Sequence, residues 1–258
     1  MRFASLGSGS RGNALVVESG ATRLLLDCGF SIRETERRLA RLSVAPESLA
    51  AILITHEHSD HIGGAFKFAH RYGLPVWLTH GTLAALPEGR NGPVDGQKVE
   101  LIDGHTRYQL GDFDIQPYPV PHDAREPVQY VFSDGSKRLG VLTDAGSLTQ
   151  HLVGMLDACD ALVLECNHDL EMLARSNYPA SVQRRISGRL GHLDNAMAAS
   201  LLTRINVSRL QHLVAAHLSE QNNLPQLAVS ALAEVLGCAT GWIGVAEQDA
   251  GLDWRTIT

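Results

Sequence analysis

A short run of histidines and acids, Thr55-His56-Glu57-His58-Ser59-Asp60-His61, directly follows an apolar stretch of strand length. Imidazole nitrogen and carboxylate oxygen are the ligand types that zinc and similar borderline metals prefer. In an extended or turn conformation, His56 and His58 point to one side and can bind a single ion. Asp60 and His61, displaced by the turn, can bind a neighbouring ion. The run therefore predicts a metal centre at the end of a buried strand.

These residues form an H-x-H-x-D-H pattern that resembles the signature of the metallo-β-lactamase superfamily. Three later segments are similar to the remaining metal-binding positions of that superfamily: Pro121-His122-Asp123-Ala124, Leu142-Thr143-Asp144-Ala145-Gly146 and Ala216-His217-Leu218-Ser219. The resemblance extends from about residue 3 to about residue 245. It implies two sets of ligands that share Asp144 as a bridge: His56, His58, His122 and Asp144 for one ion, and Asp60, His61, Asp144 and His217 for the other.

Further segments resemble the YycJ/WalJ subgroup of the superfamily, which is linked to DNA exonuclease activity and is more distantly related to ribonuclease Z and to phosphonate-pathway phosphodiesterases. They are Ser8-Gly9-Ser10-Arg11-Gly12-Asn13, Glu165-Cys166-Asn167-His168-Asp169, Gly191-His192-Leu193 and His217-Leu218-Ser219-Glu220-Gln221-Asn222-Asn223. The best-known β-lactamases of the superfamily use a cysteine ligand and lack the bridging aspartate. Asp144 therefore favours phosphodiester chemistry over lactam opening.

The expected cofactors are two divalent ions, zinc or manganese. Two cations about 3.5–4 Å apart can share a hydroxide, whose pKa a metal lowers toward about 7, and can bind the oxygens of a phosphoryl group. Asp60 is predicted to orient the bridging water as well as to bind metal. By resemblance, His192 is placed near the site, where it would donate a proton to the leaving oxygen or bind phosphate.

Candidate substrate contacts come from three places. Ser8, Ser10 and Asn13 lie in a loop that could present backbone N–H groups to phosphate, although most Gly/Ser loops are only turns. His168 follows a strand end and fits either a pocket wall or a structural role. Arg184 and Arg185 precede His192 and are candidates for DNA-backbone contacts, whereas arginines on a helix are more often a solvated face.

The pattern of strands and helices predicts an αββα sandwich, an α+β fold in which two mixed β-sheets face each other and helices flank them. We expect a single domain over residues 1–258. Alternation from Gln97 to Val120, with turns at Gly104 and Gly111-Asp112, predicts an antiparallel section. A helix is expected from Ile62 to Tyr72, and another begins at Ser31, with Glu34 three residues later.

Composition limits the remaining possibilities. The net charge of −6 argues against a general nucleic-acid coat protein but not against a nuclease, since bound metal ions would offset several acids. The four cysteines are widely spaced and suggest neither a disulfide framework nor a zinc site. The sequence contains neither an apolar run of about 18 residues nor a signal-peptide pattern, so no membrane association and a cytoplasmic location are expected.

The leading hypothesis is a metal-dependent phosphodiesterase that acts on nucleic acid, as a DNA exonuclease. The first alternative is a phosphodiesterase for small cyclic or nucleotide-like substrates, and a less favoured one is a thioester or lactam hydrolase. A scaffold protein that has lost activity is disfavoured because the ligand set implied by the resemblance is complete. The oligomeric state is open, with a homodimer as one option.

Overall fold

The structure, a computed structural model, describes residues 1–86 and 92–258, which form two seven-stranded sheets. From edge to edge, the first sheet contains β14 (Leu252–Thr256), β1 (Arg2–Gly7), β2 (Ala14–Ser19), β3 (Thr22–Leu26), β4 (Ala51–Leu53), β5 (Val76–Thr79) and β6 (Val99–Ile102). The second sheet contains β13 (Gly244–Val245), β12 (His212–Ala216), β11 (Ala161–Glu165), β10 (Arg138–Leu142), β9 (Val128–Ser133), β8 (Phe113–Pro119) and β7 (Tyr108–Leu110).

Alternating side chains on these strands build a layered core. On β3, Leu24 and Leu26 join a cluster that contains residues of both sheets, while Leu25 faces the helices on the outer side. On β11, Val163 joins the cluster between the sheets and Leu164 faces the opposite helical layer. Because successive strand residues point to opposite faces, each central strand is buried on both sides. The predicted αββα architecture is confirmed.

The helices of the described residues cover the outer faces. They are α1 (Ile32–Arg41), α2 (Ser59–Ile62), α3 (Ala65–Tyr72), α4 (His80–Ala84), α5 (Gln150–Leu156), α6 (Leu170–Ala174), α7 (Ala180–Ile186), α8 (Asn195–Leu202) and α9 (Pro225–Leu236). Helices α1 and α3 pack on the first sheet, and α5, α8 and α9 pack on the second. Ser31 caps α1 as predicted, because its side chain accepts a hydrogen bond from the Glu34 N–H.

Several buried polar residues lie at the ends of the parallel strands. Strands β3 and β4 run parallel, as do β10, β11 and β12. The carboxyl ends of parallel strands lie at one edge of a sheet, where ligands of layered α/β folds bind. Asp27 and His56 follow β3 and β4 in the first sheet. Asp144, Glu165 and His217 stand at the ends of β10, β11 and β12 in the second.

Two predictions about elements are wrong. The helix expected from Ile62 to Tyr72 is split into α2 and α3 at Gly63-Gly64, because the Gly64 N–H donates to the carbonyl oxygen of Cys28 instead of that of Asp60. Gly64 also lies against the carbonyl oxygen of Phe30, where a Cβ would overlap. The antiparallel section expected from Gln97 also fails at its start. Strand β6 pairs in parallel with β5 in the first sheet, so the chain crosses between the sheets near Gly104 instead of forming a hairpin there.

Gly29 keeps the His-rich turn in place, since a Cβ there would overlap the carbonyl oxygen of Asp60. The N–H of Asn13 donates to that same carbonyl at 2.7 Å. We predict that Gly29→Ala lowers the free energy of unfolding by about 1–3 kcal/mol, as overpacking of a filled site does, and weakens metal binding. Thermal unfolding and metal content by mass spectrometry measure the two effects.

Gly154→Ala is the matched control, because Gly154 lies in α5 and a Cβ there would meet no atom within 4 Å. Alanine in place of glycine in a helix is favourable by about 0.5–1 kcal/mol, so this variant should be as stable as the wild type or more so. Equal unfolding temperatures for the wild type and Gly29→Ala would contradict the proposed constraint on the turn.

Candidate metal centre

A first group of three imidazoles consists of His56, His58 and His122. One nitrogen from each ring lies within 4.8 Å of the others. His122 Nδ1 is 3.0 Å from the carbonyl oxygen of Gly191, which can only accept, so this nitrogen carries the proton and donates. The lone pair of His122 is therefore on Nε2, which faces His58 Nδ1 at 3.3 Å. The group has the composition of a three-histidine metal site.

A second group lies beside the first and contains Asp60, His61 and His217. His61 Nδ1 is 2.8 Å from Asp27 Oδ2, and the other oxygen of Asp27 accepts from the Thr55 N–H at 2.9 Å. His61 Nε2 then faces the group, 3.3 Å from Asp60 Oδ2. A carboxylate behind an imidazole, as Asp27 is here, fixes the tautomer and orientation of a metal-binding histidine.

Asp144 lies between the two groups. Its Oδ2 is 3.2 Å from His61 Nε2, and its Oδ1 is 3.6 Å from His217 Nε2 and 3.9 Å from His122 Nε2. Its side chain is only 2% exposed. A carboxylate within reach of both groups has the position required of a bridging ligand.

The residues present fit a pair of divalent cations. Among the described residues, three buried atoms of the cluster form no hydrogen bond: His56 Nε2, Asp144 Oδ2 and His217 Nε2. Buried polar atoms are nearly always paired, since leaving one unpaired costs free energy. All three are imidazole or carboxylate atoms aimed at the same small volume, and these are the donors that zinc and manganese accept.

Charge within the cluster is balanced by protons on histidine. Burial raises the pKa of Asp60 and Asp144, but the neighbouring His61 and His217 outweigh it and hold both carboxyls well below their usual pKa. Burial lowers the pKa of His217, but Asp144 and Asp60 outweigh it and raise the value to about 9. A divalent cation would displace these protons from the imidazole nitrogens and supply the positive charge beside the same carboxylates.

Glu165 and His192 form a hydrogen-bonded pair at the edge of the centre. His192 Nδ1 is 2.7 Å from Glu165 Oε1, and Glu165 Oε2 accepts from the N–H groups of Ala145 and Leu193. Burial raises the pKa of Glu165 well above its ordinary value and lowers the pKa of His192 to about 4. Both shifts favour an uncharged pair in which one proton lies between the two residues. His192 also stacks on His217, with ring centroids 5.4 Å apart.

Sequence analysis named Glu165 only as part of a motif and gave it no role. The structure groups its carboxylate with Asp144, His192 and His217 as possible metal-holding atoms. A signal was present, because Glu165 ends the fully buried strand β11 as an acid, in the same way that Asp144 closely follows β10.

The loop from Ser8 to Asn13 forms hydrogen bonds to residues of the centre, and most of its own backbone N–H groups are engaged within the protein. Ser8 Oγ accepts from the His217 N–H, and Asn13 Nδ2 lies 3.2 Å from Asp60 Oδ2. Of the six backbone N–H groups in the loop, all but that of Ser10 donate to atoms of the described chain. This argues against the expected anion nest. A substrate role for Ser8, Ser10 and Asn13 stays a prediction, and only Ser10 has an exposed side chain among the three.

His168 lies outside the metal-holding groups. Its side chain is buried, neither ring nitrogen has a hydrogen-bond partner in the described part of the chain, and burial lowers its pKa to about 4. Arg184 and Arg185 are exposed on α7. Arg185 reaches the rim of the centre, where its Nε donates to Asp123 Oδ2 at 2.5 Å. The substrate role predicted for all three residues remains a prediction.

Comparison with known proteins agrees with this architecture. Residues 22–217 match the model of a family described as "Beta-lactamase superfamily domain". The chain is 35% identical to the exodeoxyribonuclease YycJ of Bacillus anthracis over 236 residues, 92% of this chain and 89% of that protein. The chain belongs to the metallo-β-lactamase superfamily. It is 34% identical to the exodeoxyribonuclease WalJ of Streptococcus pneumoniae, over 95% of this chain and 91% of that protein, so the predicted YycJ/WalJ-like grouping is confirmed.

A solved structure shows the same fold. The metallo-β-lactamase fold protein YhfI from Bacillus subtilis superposes with a TM-score of 0.73 over 99% of each chain, at 16% sequence identity. Together with the histidine and aspartate groups described above, these matches identify the chain as a metal-dependent hydrolase. No helix within residues 1–86 or 92–258 is long and apolar enough to span a bilayer.

Asp27 provides a test of the second group. Asp27→Asn keeps the shape but removes the charge behind His61, so the imidazole loses its charged acceptor. We predict that zinc affinity falls about 10- to 100-fold, the usual effect of removing such a partner, while one higher-affinity ion remains on the first histidine group. Competition titration with a zinc-sensitive dye measures both affinities.

The control is Asp253→Asn, which removes an exposed aspartate that pairs with Arg41. It should leave zinc affinity unchanged. If Asp27→Asn also bound both ions as the wild type does, Asp27 would not orient a metal ligand.

Proposed function

We propose that the chain is a metal-dependent nuclease that hydrolyses DNA phosphodiester bonds as an exonuclease. One observation carries the proposal: two histidine and aspartate groups lie side by side, Asp144 stands between them, and a histidine paired with a buried acid lies next to both. Paired metal sites of this kind are typical of enzymes that displace an alcohol from a phosphodiester in line.

Each side chain has a proposed role in holding the ions. His56, His58 and His122 would hold one ion, Asp60, His61 and His217 the other, and Asp144 both. When bound, two divalent ions supply Lewis-acid activation of water and offset the negative charge of the phosphate. Asp60 Oδ2 faces His61 and His217 and also accepts a hydrogen bond from Asn13. Its proposed further role is to orient the attacking water.

His192 is the proposed proton donor. Its Nδ1 is engaged by Glu165, so its tautomer is set and Nε2 is the atom left for the leaving oxygen. In the uncharged pair, the proton of Glu165 would pass to Nδ1 as Nε2 gives its proton to the departing alkoxide, so that no free imidazolium has to form. His192 is 21% exposed, so substrate can reach it, whereas Glu165 is fully buried.

Three features support a nucleic acid as the substrate. The YycJ and WalJ relatives are named exodeoxyribonucleases. The centre is open beside His58, whose side chain is 30% exposed. Exposed Arg185 pairs with Asp123 at the rim of the centre, and exposed Arg184 precedes it on α7; both are candidates for contacts with the backbone phosphates of a polymer.

The test is release of nucleotides from end-labelled duplex DNA by zinc- or manganese-loaded protein. We expect His192→Ala to lower kcat about 10²- to 10⁴-fold, the range for loss of a general acid, with metal content unchanged. Asp60→Ala should abolish cleavage and lose metal. His70→Ala, which truncates an exposed histidine of α3, is the matched control and should cleave as the wild type does.

Two other outcomes would overturn parts of the proposal. Hydrolysis of bis-p-nitrophenyl phosphate by metal-loaded protein without DNA cleavage would indicate the small-molecule phosphodiesterase. Turnover of nitrocefin or a glutathione thioester, with no action on either phosphodiester, would exclude phosphodiester chemistry.

A further inference from the structure

Asp123 lies on the solvent side of the first histidine group, between that group and α7. Its Oδ1 is 3.5 Å from His122 Nε2 and 4.0 Å from His58 Nε2. The side chain of Asp123 is 28% exposed, whereas that of Asp144, on the other side of the same histidine nitrogen, is 2% exposed. An anion that enters from solvent therefore meets the carboxylate of Asp123 first. The two negative charges repel each other at close range.

Arg185 neutralises Asp123 with only part of its hydrogen-bonding capacity. Its Nε donates to Asp123 Oδ2, and the guanidinium makes no other hydrogen bond to the described residues. The side chain is 66% exposed. A guanidinium whose two terminal nitrogens face solvent can donate two parallel hydrogen bonds to a phosphate, a geometry that lysine cannot supply.

Helix α7, which carries Arg185, contributes no buried side chain. Its last residue is anchored, because the Ile186 carbonyl oxygen accepts from the His192 N–H, so the exchange needs movement of the Arg185 side chain only. The segment after it is fixed, since the carbonyl of Gly191 accepts from His122. Exposed ion pairs such as Arg185–Asp123 are weak and exchange partners readily.

We propose that Arg185 changes partner when substrate binds, leaving Asp123 and binding a phosphate of the phosphodiester. In this exchange Asp123 is a specificity-determining residue. It repels anions that cannot take the Arg185 guanidinium from it, whereas the backbone phosphates of a phosphodiester can bind the guanidinium in its place. The exchange rests on the proposed function, because the substrate class is a phosphodiester.

Binding of a fluorescein-labelled duplex with phosphorothioate linkages tests the exchange. Anisotropy is measured with zinc-loaded protein between about 50 and 200 mM salt. We expect Asp123→Asn to bind several-fold more tightly than the wild type. Arg185→Ala should bind about tenfold more weakly, with the slope of log affinity against log salt reduced by about one, because one phosphate contact is lost.

The double variant Asp123→Asn with Arg185→Ala separates the exchange from simple neutralisation. If Arg185 binds phosphate, the double variant binds about tenfold more weakly than Asp123→Asn alone and shows the smaller salt slope. If it binds as tightly as Asp123→Asn, with the same slope, Arg185 only neutralises Asp123 and the exchange is overturned.

Arg107 and Asp114 form the matched control, an exposed arginine–aspartate pair on the β7–β8 hairpin. Arg107→Ala removes one positive charge of the same kind and should leave affinity and slope unchanged. Zinc content is measured for every variant, so that loss of metal is recognised. Cleavage of unmodified duplex by the wild type is measured separately. If the variants show the expected binding pattern but the wild type does not cleave, the nuclease proposal is contradicted and the exchange is still supported.

Discussion

The burial of Asp144 beside a cluster of imidazoles is the constraint on which the centre depends. A buried carboxylate is costly unless positive charge and hydrogen bonds compensate it. One of its oxygens has no hydrogen bond among the described residues, and the nearest groups are His61, His217 and His122. Protons on His61 and His217 supply the compensating charge in the chain alone. Divalent cations would supply more of it and would also satisfy the unpaired atoms.

The fold meets this constraint by bringing two sheet edges together. One edge contributes Asp27 and the His-rich turn, and the other contributes Asp144, Glu165 and His217. Hydrogen-bond partners orient three of the histidines: Asp27 orients His61, the carbonyl of Gly191 orients His122, and Glu165 orients His192. His61 and His122 therefore each have one nitrogen engaged by the protein and one directed at the centre, which is the arrangement that prepares a site before metal or substrate binds.

Much of this could be predicted from local patterns. The spacing of His56, His58, Asp60 and His61 after an apolar run indicated a metal site, and the resemblance to the superfamily implied Asp144 and His217 as further ligands. The structure brings these residues together, although their binding of metal remains a proposal. The Ser31 cap of α1 was readable because it depends on neighbouring residues only.

What escaped prediction depends on contacts between distant segments. The helix break at Gly63-Gly64 follows from the hydrogen bond of the Gly64 N–H to Cys28, and the place of β6 follows from pairing with β5, neither of which local periodicity encodes. The backbone of the Ser8 loop is occupied by partners such as Gln248, far along the chain. The pairing of Arg185 with Asp123 likewise joins residues 62 positions apart, with no shared motif to reveal it.

The most direct test of the two-metal centre is anomalous diffraction from crystals grown with zinc, recorded on both sides of the zinc absorption edge. We expect two peaks about 3.5–4 Å apart. One should contact His56, His58 and His122, the other Asp60, His61 and His217, and Asp144 should contact both. A single peak, or two peaks that Asp144 does not join, would contradict the account.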